Sequence, residues 1–190
     1  SRDIGPEGFQ GNALGQLATA WSALGDLQLA IAAADSGLAL ARALGEQQEV
    51  AATLEVLADL HAQAGNLRLA LVRLREADSL DALLGLALER GTNLRRSAAI
   101  LLELGEAAPA VSRAGEALAA HRMVGAQAEM VYDRLQLALA AAANGDRRRA
   151  EAETDSALAE AKRIANPSAL RDAATVSARL ALEAGDPREA

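Results

Sequence analysis

Few residues of this chain could do catalytic or metal-binding chemistry. The sequence has two histidines, His61 and His121, a single lysine, Lys162, and no cysteine. Neither histidine lies in a recognisable zinc-ligand or Ser-His-Asp pattern, and the lysine is not in a glycine-rich phosphate loop. The absence of cysteine excludes disulfides and thiol catalysis. We therefore expect no enzymatic activity, no cofactor and no metal, and packing or surface roles for both histidines.

The charged residues likewise predict no simple catalytic or nucleic-acid site. The formal net charge is −7, which argues against general nucleic-acid binding. Three consecutive arginines occupy residues 147–149. Because successive residues of a helix point in different directions, these arginines predict a solvated face and not one basic patch.

The apolar residues predict helices. Hydrophobic residues make up 51% of the chain and aromatic residues only 2%, so alanine and leucine supply most of the apolar surface. These residues favour helix over strand. The composition and the N-terminal segment indicate neither a membrane span nor a secretory signal, so we expect a cytoplasmic protein that does not bind membranes.

Glycine and alanine recur with a period of forty residues, which predicts a stack of similar helix pairs. A helix often ends in a left-handed residue, which glycine adopts without strain, and an Asp or Asn that follows can cap the next helix. One series is Gly25, Gly65, Gly105, Gly145 and Gly185; the other is Gly45, Gly85 and Gly125, with Ala165 in the fourth place.

The repeat divides the chain into four and a half units after a flexible leader at residues 1–10. The units span about 11–46, 47–86, 87–126 and 127–166, with a half unit at 167–190, and together form one domain. Asn166-Pro167 breaks the chain between the fourth and fifth units. The nine predicted helices are about 11–24, 27–44, 47–64, 67–84, 87–104, 107–124, 127–144, 147–165 and 168–184.

The pattern resembles the tetratricopeptide repeat (TPR), and the resemblance covers about residues 11–190. In the second unit it rests on Leu54, Leu57, Ala58, Gly65, Ala70 and Ala77, with His61 at an aromatic position. The period is forty instead of the usual thirty-four, and glycine replaces the closing proline. Such long repeats are similar to those of kinesin light chain and of bacterial regulators. The resemblance implies an all-α, right-handed α-solenoid of antiparallel helix pairs.

The resemblance also implies a concave groove, lined by the first helix of each unit, for a peptide or protein partner. The family's carboxylate clamp is absent, because Gly15 and Thr19 stand at its positions. The acids and arginines of the groove could pair across neighbouring helices, or could form acidic and basic steps that orient a charged segment. The groove residues are Asn12, Gln16, Glu55, Asp59, Thr92, Arg95, Arg96, Tyr132 and Gln136, flanked by Ala99, Leu135 and Leu139.

These observations predict a non-enzymatic scaffold for protein or peptide binding. We expect it to be the docking or sensing arm of a larger bacterial regulatory protein, involved in signal transduction or transcription regulation. Two alternatives remain open: a sensor domain for a small ligand or signalling peptide, and a structural oligomerisation module that forms a homodimer through its terminal helices.

Overall fold

The structure, a computed structural model, describes the backbone of residues 6–183 and the side chains of residues 13–183. Within that range the secondary structure consists of helices joined by short turns, without strands. The helices are α1 (Pro6–Ala23), α2 (Leu27–Leu44), α3 (Gln47–Gln63), α4 (Leu67–Leu84), α5 (Ala87–Glu103), α6 (Ala107–Met123), α7 (Gln127–Ala143), α8 (Arg147–Arg163) and α9 (Pro167–Glu183).

The observed helices follow the predicted ones closely, with one correction. Helix α1 begins at Pro6, whereas the sequence predicted a leader over residues 1–10 and a helix from about residue 11. Proline is well tolerated in the first turn of a helix, where its missing N–H has no partner to lose. Residues 1–5 and 184–190, including the predicted turn at Gly185, lie outside the described residues.

The turns repeat one hydrogen-bonded geometry. At the end of α3, for example, the Gly65 N–H donates to the Ala62 carbonyl and the Asn66 N–H donates to the His61 carbonyl. Gly65 has a φ of +76°, in the left-handed region. This is the Schellman arrangement, which satisfies the last carbonyls of the helix. Ala165 makes the same turn at a φ of +50°, and it is the one non-glycine residue with a positive φ in the described chain.

Side-chain caps follow some of these turns. Asp26 and Asp146 each accept a hydrogen bond from the backbone N–H three residues later, as expected for capping residues. Asn66 occupies the corresponding place before α4 without such a side-chain bond. The predicted caps are therefore present at some turns only, whereas the backbone geometry of the turns recurs.

The chain divides into two compact units, Ser1–Leu86 and Ala87–Ala190. In the first unit each helix packs on the next, from α1 to α4. Its core consists largely of alanine and leucine, including Leu54, Leu57 and Leu60 of α3, with Trp21 packed against it. Ala58 and Ala70 are also fully buried, which agrees with their predicted place at a close helix approach.

One helix of the first unit, α2, is long and apolar enough to cross a membrane by length and composition. The expectation from the sequence was that no stretch of uncharged apolar residues would be long enough, and α2 does contain Asp35 and Arg42. A third of α2 is buried in the structure, and Ala30, Ala34 and Leu38 belong to the core of the unit. Its Arg42 forms an ion pair with Glu76 of α4. Core helices of this kind pass the same composition test as membrane spans.

In the second unit the helices pack in sequence from α5 to α9, and α7 also contacts α5 and α9. Consecutive helices run in opposite directions because the turns between them are short, so α5, α7 and α9 lie side by side. Val131 and Leu135 of α7 pack with Ala157 and Ala161 of α8 and Ala169 of α9. This arrangement gives α5 and α7 a shared face that the even-numbered helices do not cover.

Candidate functional site

The predicted groove residues lie in both compact units of the chain, 1–86 and 87–190. The side chain of Asn12 lies outside the described residues. Gln16 of α1 and Asp59 of α3 are exposed, and Glu55 is half-buried. Thr92 of α5 donates its hydroxyl hydrogen to the Leu88 carbonyl of its own helix.

The remaining four predicted residues meet at one cleft on the shared face of α5 and α7. The cleft has a volume of about 460 Å³. Polar side chains lie on both helices, and the apolar lining comes from two leucines and an alanine. We define the α5–α7 cleft by Arg95, Arg96, Ala99, Glu129, Tyr132, Leu135, Gln136 and Leu139. All of these except Glu129 are positions to which the sequence assigned the groove.

Arg95 joins the two helices of the cleft. Its guanidinium donates to the Glu129 carboxylate at 2.7 Å and lies 3.4 Å from Oδ1 of Asp133, both on α7. It also lies over the Tyr132 ring, with Cζ 5.6 Å from the ring centroid, which allows a cation–π contact. Arg95 therefore pairs with acids of the neighbouring helix, which is one of the two readings that the sequence left open.

A fully buried polar pair lies behind Arg95. Nδ1 of His121 on α6 is 2.6 Å from Oδ2 of Asp133 on α7, and both side chains are completely inaccessible to solvent. Nε2 of the same ring is 3.0 Å from the Leu88 carbonyl oxygen of α5. Burial raises the pKa of the Asp133 carboxyl, while the hydrogen bond and charge of His121 and the charge of Arg95 oppose that rise.

The sequence reasoning missed this pair, because it gave His121 only a packing or surface role. Two signals in the sequence could have found it. Asp133 falls on the buried face of α7 by the helical period, where an acid needs a partner. Gly91 stands in the interior of α5, where glycine is unfavourable unless another group comes close. A Cβ at Gly91 would lie 2.5 Å from Nε2 of His121, so only glycine leaves room for the imidazole ring.

His61, the other histidine, is buried in the first unit without a hydrogen bond to either ring nitrogen. It replaces an aromatic residue of the repeat and lies beside Leu57 and Leu60 in sequence. Burial lowers the pKa of His61, and the nearby charge of Arg73 lowers it further, against a smaller opposing effect of Asp35. The predicted packing role therefore describes His61 better than His121.

A second cavity, of about 660 Å³, lies beside α8 and α9 in the second unit. It borders Glu183, the last described residue. Leu180 of α9 is half-buried and contributes to it, whereas the corresponding Ala140 of α7 is fully buried.

No protein-family model and no curated protein matches the sequence. Solved structures do match. BtubC (BKLC) from P. vanneervenii superposes with a TM-score of 0.82 at 20% identity, over 95% of this chain and 76% of that one. The nearly identical TPR-like repeats of a Podosopora anserina protein named as a kinesin light chain superpose with a TM-score of 0.78 at 17% identity, over 94% and 88%.

The chain has the all-α TPR fold. A third TPR neighbour is a Rap protein complexed with Competence and Sporulation Factor, with a TM-score of 0.73 at 14% identity, over 93% of this chain and 49% of that one. The predicted fold class and the TPR resemblance are thereby confirmed. At these identities the likeness establishes the TPR fold alone.

Proposed function

We propose that this chain is a non-enzymatic TPR module that binds a protein or peptide segment in the α5–α7 cleft. One observation carries the proposal: the cleft combines guanidinium groups, an aromatic ring and an apolar floor on the face formed by neighbouring odd-numbered helices. Such a combination suits a segment with an apolar side chain and hydrogen-bonding or acidic groups next to it. The complex between the Rap protein and Competence and Sporulation Factor supports this use of a TPR fold.

Arg96 is the arginine to change in a test of the site, because changing Arg95 would also break its contacts with α7. The side chain of Arg95 is 21% exposed, and its guanidinium already pairs with Glu129 and Asp133. Arg96 lies next to it in the lining of the cleft and is half-buried. Leu139 of α7 supplies apolar surface at the same cleft. Arg96 and Leu139 can therefore be changed without breaking the contacts that hold α5 to α7 through Arg95.

A peptide-display experiment tests the proposal. A random peptide library is selected on the wild-type chain, and the dissociation constants of the enriched peptides are then measured for Arg96→Glu and Leu139→Glu. We expect each change to weaken binding at least tenfold, or about 1.4 kcal/mol. Arg148→Glu is the matched control, because Arg148 is an exposed arginine of α8 that is not part of the cleft. Peptides that bind all four proteins equally would refute the proposed site.

We further propose that this binding serves a larger bacterial regulatory protein, as its docking or sensing arm. The support is the Rap structure, in which a protein of similar fold is complexed with a named factor. If the selected peptides share a short consensus, a search for that consensus among the proteins encoded near the parent gene identifies candidate partners. A parent protein without a signalling, enzymatic or DNA-binding domain would contradict the regulatory role and leave the binding role intact.

A further inference from the structure

Both ring nitrogens of His121 face hydrogen-bond acceptors. Nδ1 is 2.6 Å from Oδ2 of Asp133, and Nε2 is 3.0 Å from the carbonyl oxygen of Leu88. A neutral imidazole has one N–H donor and one acceptor nitrogen. Because a carbonyl oxygen only accepts, Nε2 must carry a hydrogen for this contact to form. A second hydrogen must then lie between Nδ1 and Asp133, on one or the other.

The surroundings of Asp133 decide between those two positions. If the hydrogen were on Asp133, both groups would be neutral; if it is on Nδ1, the pair is an imidazolium and a carboxylate. Arg95 of α5 lies 3.4 Å from the other carboxyl oxygen and favours the charged form. Glu129 of α7 acts in the opposite direction, as does burial. Glu129 is also paired with Arg95, at 2.7 Å, so one guanidinium serves both carboxylates. The geometry that favours the charged pair is the donor at each oxygen of Asp133, Arg95 at Oδ1 and His121 at Oδ2.

We propose that His121 is doubly protonated and forms a buried ion pair with the Asp133 carboxylate, and that this pair positions Arg95 in the α5–α7 cleft. Each oxygen of Asp133 then has one partner: Oδ2 accepts from His121 and Oδ1 accepts from Arg95. The imidazolium ties α6 to α5 through the Leu88 carbonyl and to α7 through Asp133. A charged pair without solvent access is stable only when its remaining hydrogen-bonding atoms are satisfied, as they are here.

The consequence for binding is that His121 and Asp133 are positioning residues that do not touch the partner. This role rests on the proposed function and extends it. The orientation of Arg95 over the Tyr132 ring depends on the Asp133 carboxylate, and His121 fixes that carboxylate through its other oxygen. Loss of the negative charge at Asp133 leaves Arg95 with Glu129 and the Glu129 carbonyl oxygen, which lies 3.3 Å from Nη1. We expect the guanidinium then to become mobile.

The test is a long-range ¹H–¹⁵N spectrum of the imidazole rings of the full chain at pH 7. We expect both ring nitrogens of His121 to carry hydrogens, and His61 in the same sample to have one bare nitrogen. A bare Nδ1 on His121 at pH 7 would overturn the proposal. The measurement uses the wild-type protein, so it does not depend on whether a variant folds.

The positioning role is tested with Asp133→Asn, in which the side chain keeps its shape and loses its charge. We expect the Arg95 side-chain N–H to exchange with water at least tenfold faster, while that of Arg134, paired with Glu153 of α8 at 2.6 Å, stays unchanged. If Asp133→Asn does not fold, His121→Gln serves instead. An unchanged Arg95 signal in a folded variant would overturn the positioning role. Neither measurement requires a bound peptide, so its failure is separate from failure of the proposed binding site.

Discussion

The two histidines of this chain are both buried, yet their surroundings are opposite. His61 of α3 has no hydrogen-bond partner at either ring nitrogen, and the positive charge of Arg73 adds to the effect of burial in lowering its pKa. His121 of α6 has a carboxylate at one nitrogen and a carbonyl oxygen at the other. Burial is therefore not what separates the two sites, since both rings are at most 5% exposed.

The hydrogen-bonding partners of a buried histidine therefore determine its role. A ring without a partner is kept neutral and fills space, as the aromatic residue of the repeat would. A ring between two acceptors holds an extra hydrogen and connects three helices. The proposed binding cleft lies in front of the second kind of site, at Arg95.

The largest effect is expected for Asp133→Ala. Removing one member of a buried ion pair leaves the other charge without compensation, which destabilises a protein by about 3–5 kcal/mol. Urea unfolding followed by circular dichroism measures this loss. Asp133→Asn is the milder companion, because its amide can still hydrogen-bond to the ring. A loss of less than about 1 kcal/mol for Asp133→Ala would mean that the pair is not charged.

The next effect is expected for Gly91→Ala, in which the new Cβ would lie 2.5 Å from the imidazole of His121. The ring or α5 must move, and overpacking of this kind costs about 1–3 kcal/mol. Gly115→Ala is the control, since Gly115 is an interior residue of α6 whose added Cβ meets no atom within 4 Å. There alanine should stabilise the helix by about 0.5–1 kcal/mol. Equal effects of the two changes, measured by urea unfolding, would contradict the close contact at Gly91.

A smaller effect of the opposite sign is expected for His61→Phe. The folded pKa of His61 is below the value of 6.5 that it has when unfolded. Near and below pH 6.5 the unfolded chain therefore binds more protons than the folded one, and the stability contributed at neutral pH is lost as the pH falls. Phenylalanine removes this loss and also an unsatisfied polar group, so we expect a gain of about 1 kcal/mol.

Urea unfolding at pH 7.5 and pH 5.5 measures the effect of His61→Phe. The difference between the two proteins should grow as the pH falls, because only the wild type has the histidine at residue 61. His121 and Asp133 are present in both proteins and cancel in the comparison. A difference that is the same at the two pH values would show that His61 is not held neutral by the fold.

The smallest effect is expected at a turn and not at a histidine. Ala165 adopts a φ of +50° in a turn where the corresponding residues are glycines. Because glycine adopts this conformation without a Cβ penalty, Ala165→Gly should stabilise the chain by about 0.5–1 kcal/mol. Gly145→Ala, at a φ of +82°, is the reciprocal change and should destabilise it. Thermal unfolding midpoints that move in the same direction for both changes would contradict this reading.

The sequence predicted the helices well because their ends are determined locally. A glycine with positive φ closes a helix wherever it occurs, so the forty-residue period placed α2 to α8 almost to the residue. It predicted α1 less well, because Gly5, Gly8 and Gly11 resemble a flexible segment and the helix nevertheless runs through the last two of them. Propensity is a weak guide where few other signals exist.

The candidate site was predicted in part. The family resemblance brought Arg95, Arg96, Tyr132 and Gln136 to one face, and the structure places them around one cleft. It did not identify Asp133 and His121, because their meeting depends on the distance between α6 and α7 and not on local pattern. Nor did it show that Arg95 would be paired with Glu129 and Asp133. Such contacts depend on how the helices pack together, and the spacing of residues along one helix does not determine that packing.

Binding in the α5–α7 cleft is tested by locating a bound peptide on the protein. The tightest peptide from the display selection is titrated into the ¹⁵N-labelled chain, and the backbone amide shifts are followed. We expect the largest shifts at residues 95–99 and 129–139, with smaller ones at α8. Shifts that instead cluster beside α8 and α9, around Thr154 and Leu180, would contradict binding in the α5–α7 cleft and assign it to the larger cavity.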